Sequence, residues 1–315
     1  MARAAGALHR FVTDRIPDRT WLVALAAALW GTDGLLRKPL SGELPASTVV
    51  LWEHLIIVLA LLPWLPTALR ALRAATARER WALVGIGVGA SAVATALFTQ
   101  AFRLGDPVTP LVLQKLQPVI AIAVAAWLLG ERLRRGYWLF AVPALLGAWL
   151  MAFADPLDVR LRAAAAALLS IAAAVLWAVG TVLGRLVSER LSSRDITVLR
   201  FVIGLPAAAV VVLAQGAPVA VTAAQIGPLV ALGLVPGLLG LALYYRGLHS
   251  TAASRATLAE LAFPLTAALL GVGLLGASLS WTQLLGMAVV VASVTALGLR
   301  ERSERPVVDT VGAAA

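Results

Sequence analysis

The chain has 315 residues, of which 61% are hydrophobic and 13% charged, with a formal net charge of +10 and a mean hydropathy of +0.90. So few charges could not cover the surface of a water-soluble domain of this length, which excludes one and makes a lipid bilayer the expected solvent. The absence of cysteine excludes disulfides, thiolate metal sites and a cysteine nucleophile.

Residues 1–19 form an arginine-rich tail whose apolar runs are too short for the core of a signal peptide. Windows of about 20 apolar residues then predict spans at 21–38, 46–68, 81–103, 107–128, 136–154, 163–185, 195–215, 225–247, 252–275 and 280–299. Residues 300–315 have the composition of a disordered tail. The expected fold is therefore an all-α integral membrane protein of ten transmembrane helices.

Basic residues collect at alternate turns. Arg3, Arg10, Arg15 and Arg19 lie before the first span; Arg70, Arg73, Arg78 and Arg80 follow the second, and Arg132, Arg134 and Arg135 the fourth. Arg185, Arg190 and Arg194, then Arg246 and Arg255, then Arg300, Arg302 and Arg305 continue the series. The opposite turns hold only Arg37, Lys38, Arg103, Arg160 and Arg162. The positive-inside rule places both termini in the cytoplasm and residues 155–162 outside. The isoelectric point of about 11.3 thus describes anchoring to the lipid bilayer, and no nucleic acid is expected as a partner.

A shift of 147 residues places Trp30 on Trp177 and Glu53 on Arg200, and one of 146 places Phe98 on Tyr244, Pro118 on Pro264 and Gly130 on Gly276. Five spans per half force the halves into opposite orientations, so the ten spans read as two inverted repeats, 20–155 and 162–299, between cytoplasmic tails 1–19 and 300–315. A proline removes the hydrogen bond to the carbonyl four residues earlier. Pro118 therefore frees the carbonyl of Gln114 and Pro264 that of Glu260, near mid-span, where such groups need protein or a watery cavity to satisfy them. Helices 107–128 and 252–275 are the expected cavity walls.

Charges in mid-membrane are functional hypotheses by default. Lys115 and Glu260 lie beside the two carbonyls, and Glu53 and Arg200 occupy matching positions in the second span of each half. One reading makes Glu53–Lys115 and Arg200–Glu260 structural ion pairs; the favoured one has at least one of these charges touching substrate or a coupling proton, with Glu53 and Glu260 the proton candidates. Gln114 and Gln117 share a helical face near Lys115, and Trp30 and Trp177 could flank the same cavity. Asp33 lies one turn before Arg37, which favours a local pair. His54 reads as a packed histidine, Tyr244 and Tyr245 as interfacial. Glycines 85, 87, 89, 233, 237, 271 and 273 read as helix-packing positions, and no phosphate-cradling loop is present.

The stretch "QPVIAIAVAAWLLGERL" followed by a glycine-containing span, with its echo "RATLAELAFPLTAALLGVGLLGASLSWTQLLGMAVVVAS" at 255–293, resembles the two EamA-type halves of the drug/metabolite transporter superfamily. The resemblance covers 21–299. It departs at the turn Gly130-Glu131-Arg132, which becomes Gly276-Ala277-Ser278, so Glu131 is given a helix-end role. The resemblance implies a central cavity and alternating access by rocking of the halves. Together with the mid-membrane charges it gives the expectation of a secondary transporter, in the direction of export, for a small polar metabolite of amino-acid-like or cationic character, with proton coupling. A membrane enzyme or flippase acting on a lipid-linked substrate is the second class; scattered His9, His54 and His249 do not supply its catalytic cluster. No enzyme activity, cofactor or metal is expected. The location is the bacterial inner (plasma) membrane, and a homodimer is compatible with the sequence.

Overall fold

Every backbone amide in a bilayer must find its partner within the protein, which restricts an apolar chain of this kind to helices. The computed structural model describes residues 19–129, 136–152, 155, 157, 161–248, 259, 260 and 262–303, and among them no strand occurs. The helices of the first half are α1 (Thr20–Gly31), α2 (Asp33–Glu43), α3 (Ala46–Leu61), α4 (Leu65–Ala74), α5 (Ala77–Val84), α6 (Ala94–Leu104), α7 (Thr109–Leu113), α8 (Gln117–Leu129) and α9 (Trp138–Ala152). Those of the second half are α10 (Leu161–Val187), α11 (Ser193–Ala214), α12 (Ala223–Leu232), α13 (Gly240–Leu248), α14 (Ala262–Leu275) and α15 (Trp281–Ser303). The tail 1–18, the turn containing Gly130, Glu131 and Arg132, residues 156 and 158–160 of the 155–162 connection, His249, Arg255 and residues 304–315 lie outside the described residues.

Among the described residues, five runs are long and apolar enough to cross a membrane: Ala46–Ala74, Ala77–Leu104, Ala163–Gly184, Ser193–Ala214 and Ala223–Tyr244. Shorter apolar helices occupy Trp138–Met151, Ala262–Leu275 and Trp281–Leu297, and the first window is divided at Thr32, whose hydroxyl donates to the Leu29 carbonyl at 2.6 Å. Large apolar side chains face outward, among them Trp21, Trp81, Trp127, Trp138 and Trp281, while many alanines sit in the interior between buried leucines, valines and phenylalanines. This inside-out distribution is what a hydrocarbon surround permits.

Contacts between the halves repeat under the 147-residue shift. Helix α1 packs on α13 and α14, and its counterpart α10 packs on α6 and α8; α3 packs on α11, and α9 on α15. The α9–α15 crossing is close because a side chain on Gly147 would meet the Gly286 carbonyl at 2.9 Å. Local irregularities repeat as well. Wide π turns occupy Gly85–Val93 and Gly233–Leu239, a form that is rare except as short bulges at functional sites.

The two proline-freed carbonyls share one solution. Gln114 O accepts from the Gln117 N–H through a tight 3₁₀ turn at Gln114–Leu116, and Glu260 O accepts from the Phe263 N–H at 3.1 Å. In each case the donor is the residue just before the proline. The expected demand for water at these carbonyls is thus met by the backbone itself. The glycine reading needs correction at two positions: a Cβ on Gly87 would meet Ile203 at 2.7 Å and one on Gly271 would meet Val108 at 2.5 Å, but nothing lies within 4 Å of Gly89 or Gly273.

Candidate functional site

The break at Thr32 starts a new helix with Asp33 in its first turn, where a carboxylate is favoured by the unsatisfied amides. One turn on, Arg37 points inward and is only 2% exposed. Its Nε donates to Asp33 Oδ1 at 2.7 Å and its Nη2 to Asp33 Oδ2 at 2.8 Å. Glu53, arriving on α3, receives Nη1 on Oε2 at 3.0 Å and Nη2 on Oε1 at 3.2 Å. The remaining Nη1 hydrogen goes to Thr99 Oγ1 at 2.7 Å, and that hydroxyl donates to Thr95 O at 2.8 Å. All five guanidinium N–H groups are thereby used.

Next to this cluster lies an aromatic platform. The Arg37 guanidinium sits 5.6 Å from the centre of the Phe98 ring, and Phe98 meets Trp177 edge-on at 5.0 Å. Trp30, Trp177, Phe98 and Phe263 belong to one packed cluster fed by α1, α6, α10 and α14. Lys115 Nζ stands 4.3 Å from the Phe263 ring centre, a cation–π geometry. Glu260 Oε1 accepts from the Tyr244 hydroxyl at 2.7 Å, and the Tyr244 ring lies 4.9 Å from that of Trp30. Gly240 makes room here, since a Cβ would come within 2.8 Å of Trp30 Nε1. Gln117 Nε2 donates to Thr181 Oγ1 at 3.1 Å, and that hydroxyl donates to the Trp177 carbonyl at 3.0 Å. Phe98 and Phe263 pack inside the cluster, and the half-buried Trp30 and Trp177 at its edge are the rings that can stack a flat molecule.

A third group joins the halves at the α3–α11 contact. Arg200 Nε donates to Ser91 Oγ at 3.3 Å and Nη2 to Ala90 O at 3.1 Å. His54 is 1% exposed and bonds Val50 O and Ser91 Oγ, each at 2.9 Å. A carbonyl only accepts, so Nδ1 carries the hydrogen and a neutral ring accepts at Nε2 from the serine. Phe201, the 147-residue counterpart of His54, packs edge-on against it at 5.3 Å.

The model of the EamA-like transporter family matches residues 20–153 and again 164–299. The chain belongs to that family. It is 30% identical over 285 residues to a protein named Riboflavin transporter ImpX from Fusobacterium nucleatum subsp. nucleatum, covering 87% of this chain and 95% of that one. It is 26% identical over 287 residues to Uncharacterized transporter YwfM of Bacillus subtilis, covering 90% and 94%. One solved crystal structure shares its fold, with a TM-score of 0.60, 22% identity, and coverage of 91% of this chain and 99% of that one. An EamA-like membership makes the chain a multi-pass membrane transporter and supports the two-repeat architecture.

Within this EamA-like scaffold the sequence-derived residues divide. Trp30, Trp177, Lys115 and Glu260 surround the platform, and Gln117 reaches it through Thr181. The Gln114 carbonyl accepts the Gln117 N–H within its own turn. Glu53 stands apart. The Glu53–Lys115 pairing is corrected: Arg37 holds Glu53 because it faces it directly from α2. Arg200–Glu260 is likewise replaced, by Arg200 on Ser91 and Glu260 on Tyr244. The Asp33–Arg37 pair is present. Tyr244 was read as interfacial but anchors the Glu260 carboxylate, and Phe98, Thr99 and Phe263 carried no separate signal except that Phe98 matches Tyr244 in the repeat.

Proposed function

We propose that this EamA-like transporter carries a flat, polar heteroaromatic metabolite of the flavin type by alternating access, with ten helices arranged as two inverted repeats, 20–155 and 162–299. The observation that carries this reading is the platform of Trp30, Phe98, Trp177 and Phe263 bordered by Lys115, Glu260 and Tyr244. Stacking on aromatic faces favours a ring over the amino-acid-like compound expected from the charges alone, and the riboflavin-transporting relative supports the same choice. Trp30, Trp177, Lys115, Glu260, Gln114 and Gln117 are the proposed substrate residues.

Purified full-length protein in proteoliposomes tests it with labelled riboflavin, loaded on either side so that direction is read as well. The expected result is saturable flux absent from protein-free vesicles, weakened about tenfold in apparent affinity by Lys115→Met, equivalent to about 1.4 kcal/mol. Saturable flux of an aliphatic amino acid with none of riboflavin would overturn the flavin assignment. Both termini are proposed to be cytoplasmic in a bacterial inner membrane, from the distribution of arginine. A membrane-impermeant maleimide should therefore label Asp158→Cys only from outside; labelling only from the cytoplasmic side refutes this orientation.

A further inference from the structure

We propose that the cluster of Asp33, Arg37, Glu53 and Thr99 is the proton-binding site of the protein, one proton residing on one or the other of the two carboxylates clamped on Arg37. The inference deepens the transporter reading, since it names the ion that the same bundle would couple to its substrate.

Charge and hydrogen bonding together lead to it. Two carboxylates against one guanidinium leave one uncompensated negative charge, held by side chains that are 3% exposed for Arg37 and 14% and 10% for Asp33 and Glu53. An excess charge in the apolar interior of a membrane protein is costly, and a single proton on either acid removes it. A metal ion is the poorer occupant. Hard cations take six or more oxygens, whereas each of the four carboxylate oxygens here already accepts an Arg37 N–H. No group of three or more His, Asp or Glu suited to a metal occurs among the described residues.

Among the described residues, the charged groups of the neighbouring elements have bonds outside the cluster. On α2 itself, Lys38 Nζ donates to Phe102 O and to Gly105 O at 2.6 Å. On α6, Arg103 reaches Gln100 Oε1. On α3 and α11, His54 and Arg200 meet at Ser91, and Asp195 accepts the Ser192 hydroxyl at 2.6 Å at the start of α11. Helices α1, α12 and α14 and both π turns contain no ionisable side chain. The path to the substrate residues is short: Arg37 lies over Phe98, which meets Trp177. Trp30 and Asp33 stand on either side of the helix break at Thr32. A ligand that displaces either tryptophan changes the surroundings of the clamp.

The test reads the proton directly, on the full-length protein reconstituted in vesicles. Infrared difference spectra across a pH titration are expected to show the carbonyl stretch of a protonated carboxylic acid, disappearing as pH rises. Asp33→Asn alone, or Glu53→Gln alone, should abolish it, because the remaining carboxylate then pairs one-to-one with Arg37 and stays ionised. Absence of the band in the unsubstituted protein, or its survival in both variants, would overturn the proposal, as would a spectrum that responds to sodium and not to pH. Should the variants fail to run as monodisperse protein, dicyclohexylcarbodiimide decides on the unsubstituted chain. It modifies protonated buried carboxyls, so peptide mapping should place the adduct on Asp33 or Glu53 with a yield falling as pH rises. An adduct confined to other residues overturns the site. A transport arm separates this from the substrate reading. Glu53→Gln should abolish riboflavin accumulation driven by a pH gradient while retaining riboflavin exchange; no riboflavin movement at all refutes the flavin assignment and leaves the infrared result to decide the proton site.

Discussion

The two halves of this EamA-like transporter share a backbone and differ in chemistry. Both carry a π turn in the third helix of the repeat and a tight turn before the proline of the fourth. Yet the positions that match Asp33 and Arg37 under the 147-residue shift are Gly180 and Gly184. Glu53 is matched by Arg200, which finds its partners, Ser91 and Ala90, in the other half. Duplication preserved the features that set helix shape. The saturated ion cluster belongs to the first half alone, and the second half answers it with small residues that admit close packing: a Cβ on Gly180 would lie 2.3 Å from that of Ala90.

Given this asymmetry, equivalent damage to the two halves has unequal cost. Arg37→Met strands two buried carboxylates and should destabilise the protein by about 3–5 kcal/mol, the range for breaking a buried pair. Arg200→Met loses a half-buried arginine bonded to a hydroxyl and a carbonyl, and should cost about 1–2 kcal/mol. Thermal unfolding in detergent measures both, and equal losses would break the comparison. A smaller effect sharpens it from the other side. Gly180→Ala must displace Ala90 and should cost about 1–3 kcal/mol through overpacking, whereas Gly184, with nothing within 4 Å, should accept alanine within about 0.5 kcal/mol. Tolerance at Gly180 would show that the bundle relaxes there and that the glycine is not required.

Much of the framework was legible in the chain because a bilayer imposes long apolar runs and leaves few alternatives to helix. Among the described residues the hydropathy windows fall mainly on helix, with turns or bends at positions such as Thr32, Pro107 and Val108 inside them, and the repeat-matched Trp30 and Trp177 pack against one aromatic cluster. The carbonyls that Pro118 and Pro264 were expected to free turn to the N–H three residues on instead of to a cavity. Arg37 shows where linear reading stopped. Counted among the bases of an outer turn, it is among the most buried charges in the protein, and its partners Glu53 and Thr99 lie 16 and 62 residues away.

The sequence by itself determined the solvent, the helical class, the approximate span positions and the local Asp33–Arg37 pair, since composition, run length and i,i+4 spacing act through a few consecutive residues. Tertiary structure alone decided which charges meet. Glu53 pairs with Arg37 and not with Lys115, Tyr244 anchors Glu260, and Lys115 faces Phe263. Each of these depends on the rotation and approach of helices packed side by side, which is settled by side-chain shape and by glycines such as Gly240 and Gly204. A charge buried in a membrane takes whichever partner that packing brings within hydrogen-bond reach.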